Sequence, residues 1–299
     1  MKTAQNTTQN TISTDISFSE VINGNPLEIG SGFNALSFRE KEYHGAMDPL
    51  IMVDHYTMTE STFGPHPHAG LSAVSVIFED SVGKFRNRDS LGNDFDLLPG
   101  DLYWLKAGSG IVHDEAPRKN SKTHGLQVFV NLPVSQKHSV PESLHVKATE
   151  IPVIEENGAR IRIVLGESNG VKGQNSPALP MTIIEGKMQP DGSYDSSLNT
   201  EKSAWLYAID GQLTIEVSGR KTSLSSGQSI AIQNTSAQHN HVIKLINESS
   251  LSSKFAMFVG TPIKEAFVQY GPFVMSTEAE IKQIEADYRA GKLGQLLPV

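Results

Sequence analysis

Ala73-Val74-Ser75-Val76-Ile77-Phe78, followed by Glu79-Asp80-Ser81-Val82-Gly83 and then Lys84-Phe85-Arg86-Asn87-Arg88, decides the class of fold. The first run is β-branched, apolar and too short for a helix. The last alternates charged and neutral residues with the two-residue period of a strand, and turn material lies between them. The same rhythm continues downstream through Asp89-Ser90-Leu91-Gly92-Asn93, Asp96-Leu97-Leu98, Pro99-Gly100-Asp101 and Leu102-Tyr103-Trp104-Leu105. Many short strands at close, regular spacing indicate an all-β sandwich or barrel.

The second half repeats the unit. Ala204-Trp205-Leu206-Tyr207-Ala208-Ile209 runs into Asp210-Gly211, then Gln212-Leu213-Thr214-Ile215-Glu216-Val217, Ser226-Gly227-Gln228 and Ser229-Ile230-Ala231-Ile232. Glu79-Asp80 matches Asp210-Gly211, and Pro99-Gly100-Asp101 matches Ser226-Gly227-Gln228. Two copies of one β unit account for 299 residues, about twice a typical domain. The expected division is a flexible tail over 1–17, a first barrel over 18–135, a Pro- and Gly-rich crossover over 136–180 and a second barrel over 181–299. One helix is expected near the end, within the second unit and on the outside of a barrel. There Thr277-Glu278-Ala279-Glu280 fits a capping box, Ile281, Ile284 and Tyr288 share a face, and Gly291 stops the helix.

Composition removes whole classes of function. With 38% apolar and 19% charged residues the chain is ordinary globular material. It has no cysteine, so thiol catalysis, disulfide scaffolds and thiolate metal sites are excluded. The net charge of −8 argues against direct nucleic-acid binding. No run approaches the roughly 18 apolar residues of a membrane span. Met1–Ser17 lacks the apolar core of a secretory signal, so a cytoplasmic location is expected.

Any metal must therefore be held by nitrogen and oxygen, and ten histidines are available. Two triplets stand out, His66-Pro67-His68 and His113-Asp114-Glu115. In a strand, residues i and i+2 point to one face, so each triplet presents two ligand-type side chains together and turns Pro67 and Asp114 away. Brought side by side, His66, His68, His113 and Glu115 suit a divalent transition metal in octahedral geometry with positions left open. Open positions are characteristic of catalytic centres rather than structural ones. His55 and His124 are candidates for supporting partners, with a satisfied structural role an equal alternative, and either face of the Gln127, Phe129, Asn131 strand is a candidate cavity wall. Trp104 and Phe78 read as core, and Lys84, Arg86 and Arg88 as a solvated strand face.

These residues also carry a resemblance. Gly64-Pro65-His66-Pro67-His68-Ala69-Gly70, Arg88-Asp89-Ser90-Leu91-Gly92-Asn93 and Ala107-Gly108-Ser109-Gly110-Ile111-Val112-His113-Asp114-Glu115 resemble the pirin family of the cupin superfamily. So do Gly125-Leu126-Gln127-Val128-Phe129-Val130-Asn131-Leu132-Pro133, Gly260-Thr261-Pro262 and Tyr270-Gly271-Pro272-Phe273-Val274-Met275. The resemblance implies two tandem cupin (double-stranded β-helix) barrels, of which only the first holds metal. It places the metal on His66, His68, His113 and Glu115, with Fe(II) the usual ion and Mn, Ni, Co, Cu or Zn as alternatives. It implies quercetin 2,3-dioxygenase activity, in which a flavonol ring is opened with O₂ and CO is released, Glu115 serving as ligand and catalytic base. The alternative it implies is a metal- or redox-sensing regulator that acts through a protein partner. One departure stands out: Leu71-Ser72 replaces the family's aromatic-Glu pair, which removes a carboxylate that serves as a ligand in many other cupins. Aligning the repeats sets Ser197 and Asn199 where His66 and His68 stand. Asn240 then falls opposite His113, flanked by His239 and His241.

Overall fold

The computed structural model describes residues 15–296. It is built almost wholly of antiparallel strands, in two barrels that each pair a large sheet with a small one. In the first barrel the large sheet runs, in spatial order, Glu142–Val146, Leu102–Lys106, Leu71–Ile77, Thr123–Asn131, Leu50–Met58, Phe33–Arg39 and Asn25–Ile29. The small sheet runs His66–His68, Ile111–Pro117, Phe85–Asp89 and Asp94–Leu97. The second barrel repeats the plan, with a large sheet centred on Ser203–Asp210 and Ser253–Gly260. Its small sheet is Ser193–Leu198, His241–Ile246, Gln212–Val217 and Arg220–Ser225. The two-barrel, all-β architecture expected from the repeated strand rhythm is the one found.

Strand alternation explains where the cores sit. Ile77, Tyr103 and Leu105 turn into the first barrel beside Phe33 and Phe85. Their neighbours Val74, Val76, Trp104, Leu126 and Val128 turn the opposite way, and meet Trp205, Tyr207 and Phe258 of the second barrel in one buried seam. Trp104 and Phe78 are core, as expected. Because both faces of the large sheets are covered, their central strands read as nearly continuous apolar runs rather than half-polar ones.

Hydrogen bonds cross the boundaries drawn from sequence. The expected tail reached residue 17, but Ile16–Phe18 is a strand paired with Gln228–Asn234 of the second barrel; residues 1–14 lie outside the described residues. Phe18 lies under the Arg220 guanidinium, 4.1 Å away. The expected crossover over 136–180 is divided between the barrels. Glu142–Val146 pairs with Leu102–Lys106 of the first, and Ala159–Leu165 pairs with Met181–Met188 of the second. Each of these segments covers a strand edge that would otherwise be open to another chain.

The C-terminal helix, Glu278–Arg289, is the single α-helix among the described residues, and Thr277 and Glu280 form the expected reciprocal cap. It does not pack on the second barrel. Ile281 and Ile284, with Phe273, Met275 and Leu293, bury against Ala69 and Val112 of the first, beside the histidine-bearing strands. Tyr288 stays 38% exposed, so the buried stripe is narrower than expected. The hairpin Val268–Tyr270 and Phe273–Met275 leads into the helix and brings the chain back from the second barrel.

Candidate metal centre

The strands His66–His68 and Ile111–Pro117 are antiparallel neighbours, with His113 directly opposite His66. That register and the two-residue period bring three imidazoles to one point. His113 Nε2 lies 2.9 Å from both His68 Nε2 and His66 Nε2. One ligand-type nitrogen from each of the three lies within 4.8 Å of the others. Asp114 faces away, as expected, and receives Arg88 at 2.7 Å.

Hydrogen-bond accounting tests whether this cluster fits a cation. His66 Nδ1 is 2.8 Å from the Gly64 carbonyl and His68 Nδ1 is 3.3 Å from the Pro272 carbonyl. A carbonyl only accepts, so both Nδ1 atoms carry protons and, in the neutral rings, both Nε2 atoms are bare. Both lone pairs face His113 Nε2, which has at most one proton to give. His113 Nδ1 is itself buried without a partner. Protonation does not resolve the conflict. Burial, and then the nearness of His66, push His68 down to about 3. Burial followed by His68 and His66 holds His113 well below the usual imidazole range, and burial lowers His66. Two bare nitrogens facing a third, with at most one proton among them, are the donor set of a divalent metal, and the residues present fit one.

Glu115 lines the same cavity as the three histidines. Its carboxylate is not among the donor atoms gathered within 4.8 Å. Oε1 instead accepts the Ser75 hydroxyl at 2.8 Å, and Ser75 Oγ is 3.0 Å from Gln127 Oε1. Burial pushes this carboxyl up to about 7, against the pull of the Ser75 hydrogen bond.

The cavity holds about 290 Å³ and its walls are largely apolar. Phe33, Phe63, Phe85 and Phe129 line it together with Met52 and Met58. Tyr56 also lines it, stacked on Phe33 at 5.6 Å, and its buried hydroxyl has no partner. At the polar end Arg39 and Ser37 both donate to Asp54 Oδ1, at 2.8 and 2.6 Å. Gln127 and Phe129 supply one wall, so the inward face of that strand is now fixed. Asn131 bonds instead to Lys137.

Of the two readings open for His55 and His124, the structural one holds: they lie on the opposite face of their strands in the seam between barrels, where His55 Nδ1 meets the Tyr207 hydroxyl at 2.6 Å. Other expectations need correction. Lys84, Arg86 and Arg88 are ion-paired rather than merely solvated, with Asp96, Asp94 and Asp114 at 3.4, 2.5 and 2.7 Å. Ser72 is buried with the parity of Val74 and Val76, on the face turned from the cavity. The family's carboxylate at this position would therefore not face the histidines. In the second barrel the repeat alignment is one residue out. Ser197 and Asn199 are exposed, while Ser196 and Leu198 turn inward, opposite Ile243 and His241. Period-two alternation makes a one-residue slip exchange the two faces completely.

Sequence reasoning missed Ser75, Asp54, Pro272 and Lys137. Ser75 carried a usable signal, since it shares the parity of Ala73 and Ile77 on a strand facing Gln127. Pro272 carried none, because its contact with His68 spans 204 positions.

Comparison with known proteins places the chain in a family and agrees with the fold. The family described as Pirin matches residues 33–130, and the Pirin C-terminal cupin domain matches 183–294. Pirin of Homo sapiens is 30% identical over 257 residues, covering 83% of this chain and 83% of its own length. A pirin-like protein of Solanum lycopersicum is 31% identical over 255 residues, covering 83% and 82%. Among solved structures, quercetin 2,3-dioxygenase from Acinetobacter baumannii superposes with a TM-score of 0.81 at 23% identity, covering 94% of this chain and 99% of the other. A bacterial pirin of Escherichia coli in complex with nickel(II) superposes at 0.60 and 17% identity, covering 83% and 99%.

Proposed function

Because the chain belongs to the pirin family of bicupins, we propose that its first barrel houses a metal-dependent dioxygenase of the quercetin 2,3-dioxygenase type, which opens a flavonol ring with O₂ and releases carbon monoxide. The observation that carries this reading is the pairing of three converging imidazoles with Glu115 in one cavity whose remaining walls are aromatic and apolar. A flat aromatic substrate fits such walls, and a phenolic hydroxyl is the group that the polar end would receive. The acquired structure from Acinetobacter baumannii supports the reading through shared architecture alone.

His66, His68 and His113 would hold a divalent metal, ferrous iron in preference. When bound, it supplies Lewis-acid polarisation that makes a coordinated hydroxyl easier to ionise. Glu115, fixed by Ser75 beside the histidines, receives the proton of the flavonol 3-hydroxyl. Phe33, Phe63 and Phe129 hold the ring system in place and exclude water from the ionised substrate. The two methionines beside them complete the apolar wall.

The test is release of carbon monoxide and the depside from quercetin under air by metal-loaded protein. Absence of turnover with iron, manganese, nickel, cobalt and copper overturns the dioxygenase reading.

A further inference from the structure

We propose that Arg39 and Asp54 are a specificity-determining pair for two adjacent hydroxyls, so that the preferred occupant of the first-barrel cavity is a flat aromatic molecule bearing a catechol. The pairing names a substrate class for the function proposed above. It rests on that reading of the cavity as a site for flat aromatic molecules and draws on no metal chemistry.

Three observations lead to it. Arg39 and Asp54 both line the cavity that the histidines line, from neighbouring strands of the large sheet. Asp54 is fixed through one oxygen, since Oδ1 accepts the Ser37 hydroxyl at 2.6 Å and Arg39 Nη1 at 2.8 Å. The rest of the pair is open. Among the described residues nothing engages Asp54 Oδ2 or Arg39 Nε and Nη2, and Nη1 has one further neighbour, the Phe38 carbonyl at 3.5 Å.

That pattern selects a ligand by its hydrogen-bonding groups. A carboxylate oxygen only accepts and a guanidinium only donates, so the pair presents an open acceptor beside open donors. In a catechol one hydroxyl donates to Oδ2 while the adjacent oxygen accepts from the guanidinium. A lone phenol has a single oxygen to serve two groups whose only mutual contact runs through Nη1 and Oδ1. A ligand carboxylate would set its charge against Oδ2, and a ligand ammonium its charge against Arg39; the pair is neutral as a whole and selects a neutral partner. Met52 and Phe129 are register neighbours beside the pair, and the Phe129 ring lies 5.1 Å from that of His68. An aromatic ring resting on them links the polar pair to the histidine side of the cavity.

Flavones test the pair apart from turnover, because they lack the 3-hydroxyl at which ring opening begins. Luteolin carries a catechol on its distal ring, apigenin a single hydroxyl and chrysin none. Their binding to the full-length protein is measured by calorimetry, with metal and again after chelation. Arg39 is 33% exposed and Asp54 10% in their side chains, so water partly replaces a missing hydroxyl. We expect luteolin to bind roughly tenfold more tightly than apigenin, the scale of one hydrogen bond to a charged group, and chrysin more weakly still. Arg39→Met should bring luteolin and apigenin to equal affinity. Asp54→Asn should do the same, because its amide oxygen keeps both contacts of Oδ1 while its NH₂ turns the open acceptor into a donor. Circular dichroism checks that each variant is folded. Equal affinities in the wild type, or an unchanged preference in either folded variant, overturn the pair. A preference that disappears on chelation also overturns it, since the catechol then sits on the metal. If no flavone binds at all, the aromatic-cavity reading fails and takes the pair with it. If luteolin is preferred as expected while quercetin is not turned over, the dioxygenase reading fails and the pair stands.

Discussion

Tyr207 of the second barrel and His55 of the first are joined across the seam at 2.6 Å, hydroxyl to Nδ1. His55 Nε2 lies 2.8 Å from His124 Nε2, and His124 Nδ1 lies 2.7 Å from Asp80 Oδ1. Asp80 also pairs with Lys254 of the second barrel at 2.7 Å. The ionised carboxylate only accepts, so His124 Nδ1 is protonated, His55 Nε2 donates to His124 and the Tyr207 hydroxyl donates to His55. Every proton in this chain has one assigned place.

That assignment makes stability depend on pH. Burial first, and then the neighbouring His124, push His55 down from 6.5 to about 4, with Asp80 partly opposing. The unfolded chain therefore binds more protons than the folded one between those values. The stabilisation is complete above pH 6.5 and is lost as pH falls through the window to about 4, amounting to at most roughly 3 kcal/mol. Urea denaturation at a series of pH values should show this slope, to which the buried His66, His68 and His113 also contribute, and His55→Phe should reduce it whatever its effect on the baseline. An unchanged slope in that variant would exclude His55 as the source.

Lys137 is 1% exposed, and its Nζ donates to the Gly70 carbonyl at 3.0 Å, the Val274 carbonyl at 3.0 Å and Asn131 Oδ1 at 2.7 Å. One ammonium thus joins the turn after His68, the C-terminal hairpin and the end of a cavity strand. Lys137→Met keeps much of the volume but strands three buried acceptors, each costly to leave unpaired. We expect a loss of about 3 kcal/mol or more in chemical denaturation, while a surface control such as Lys172→Met changes stability by less than about 0.5 kcal/mol.

Gly70 has φ +71°, and a Cβ there would lie 1.9 Å from the Val274 carbonyl oxygen. No side chain fits without displacing the hairpin that brings Pro272 to His68. Gly70→Ala should weaken metal binding and speed proteolysis in residues 261–296 together. Metal affinity that stays intact while the hairpin is released would show that the Pro272 carbonyl does not orient His68.

The fold was legible because its signal is local. Ala73 to Arg88 and Ala204 to Val217 carry strand alternation and turn residues within each short segment, and the repeat announces two barrels. The histidine pairs were legible for the same reason, since i and i+2 in His66-Pro67-His68 need no knowledge of the rest of the chain. Long-range placement was not. Nothing in Glu278–Arg289 says which barrel its apolar face covers, because Ile281 would be buried equally well on either. The Ser197 alignment failed because a turn of different length between repeats shifts parity by one, and parity decides everything in a strand. Whether Glu115 touches the histidines or Ser75 is a matter of side-chain rotation, on which spacing is silent.

The second HxH, His239-x-His241, supplies the sharpest contrast with the first. His241 Nδ1 is engaged by the Ser218 hydroxyl at 2.8 Å. His239 is 69% exposed in its side chain and lies 3.8 Å from Asp15. Leu198, Ile243 and Leu245 fill most of the inward positions around His241, so its Nε2, buried without a hydrogen-bond partner, has no second imidazole beside it among the described residues. The sequence motif is thus the same while the chemistry differs, because only the first pair faces a third imidazole at 2.9 Å. Metal analysis of the purified protein should give one equivalent per chain. His113→Ala should weaken binding by more than the roughly 10–100-fold that loss of an outer orienting group costs. The paired substitution His239→Ala, His241→Ala should leave stoichiometry and affinity unchanged. Retention of a full equivalent by His113→Ala, with loss in the His239, His241 variant, would move the metal to the second barrel and overturn the assignment.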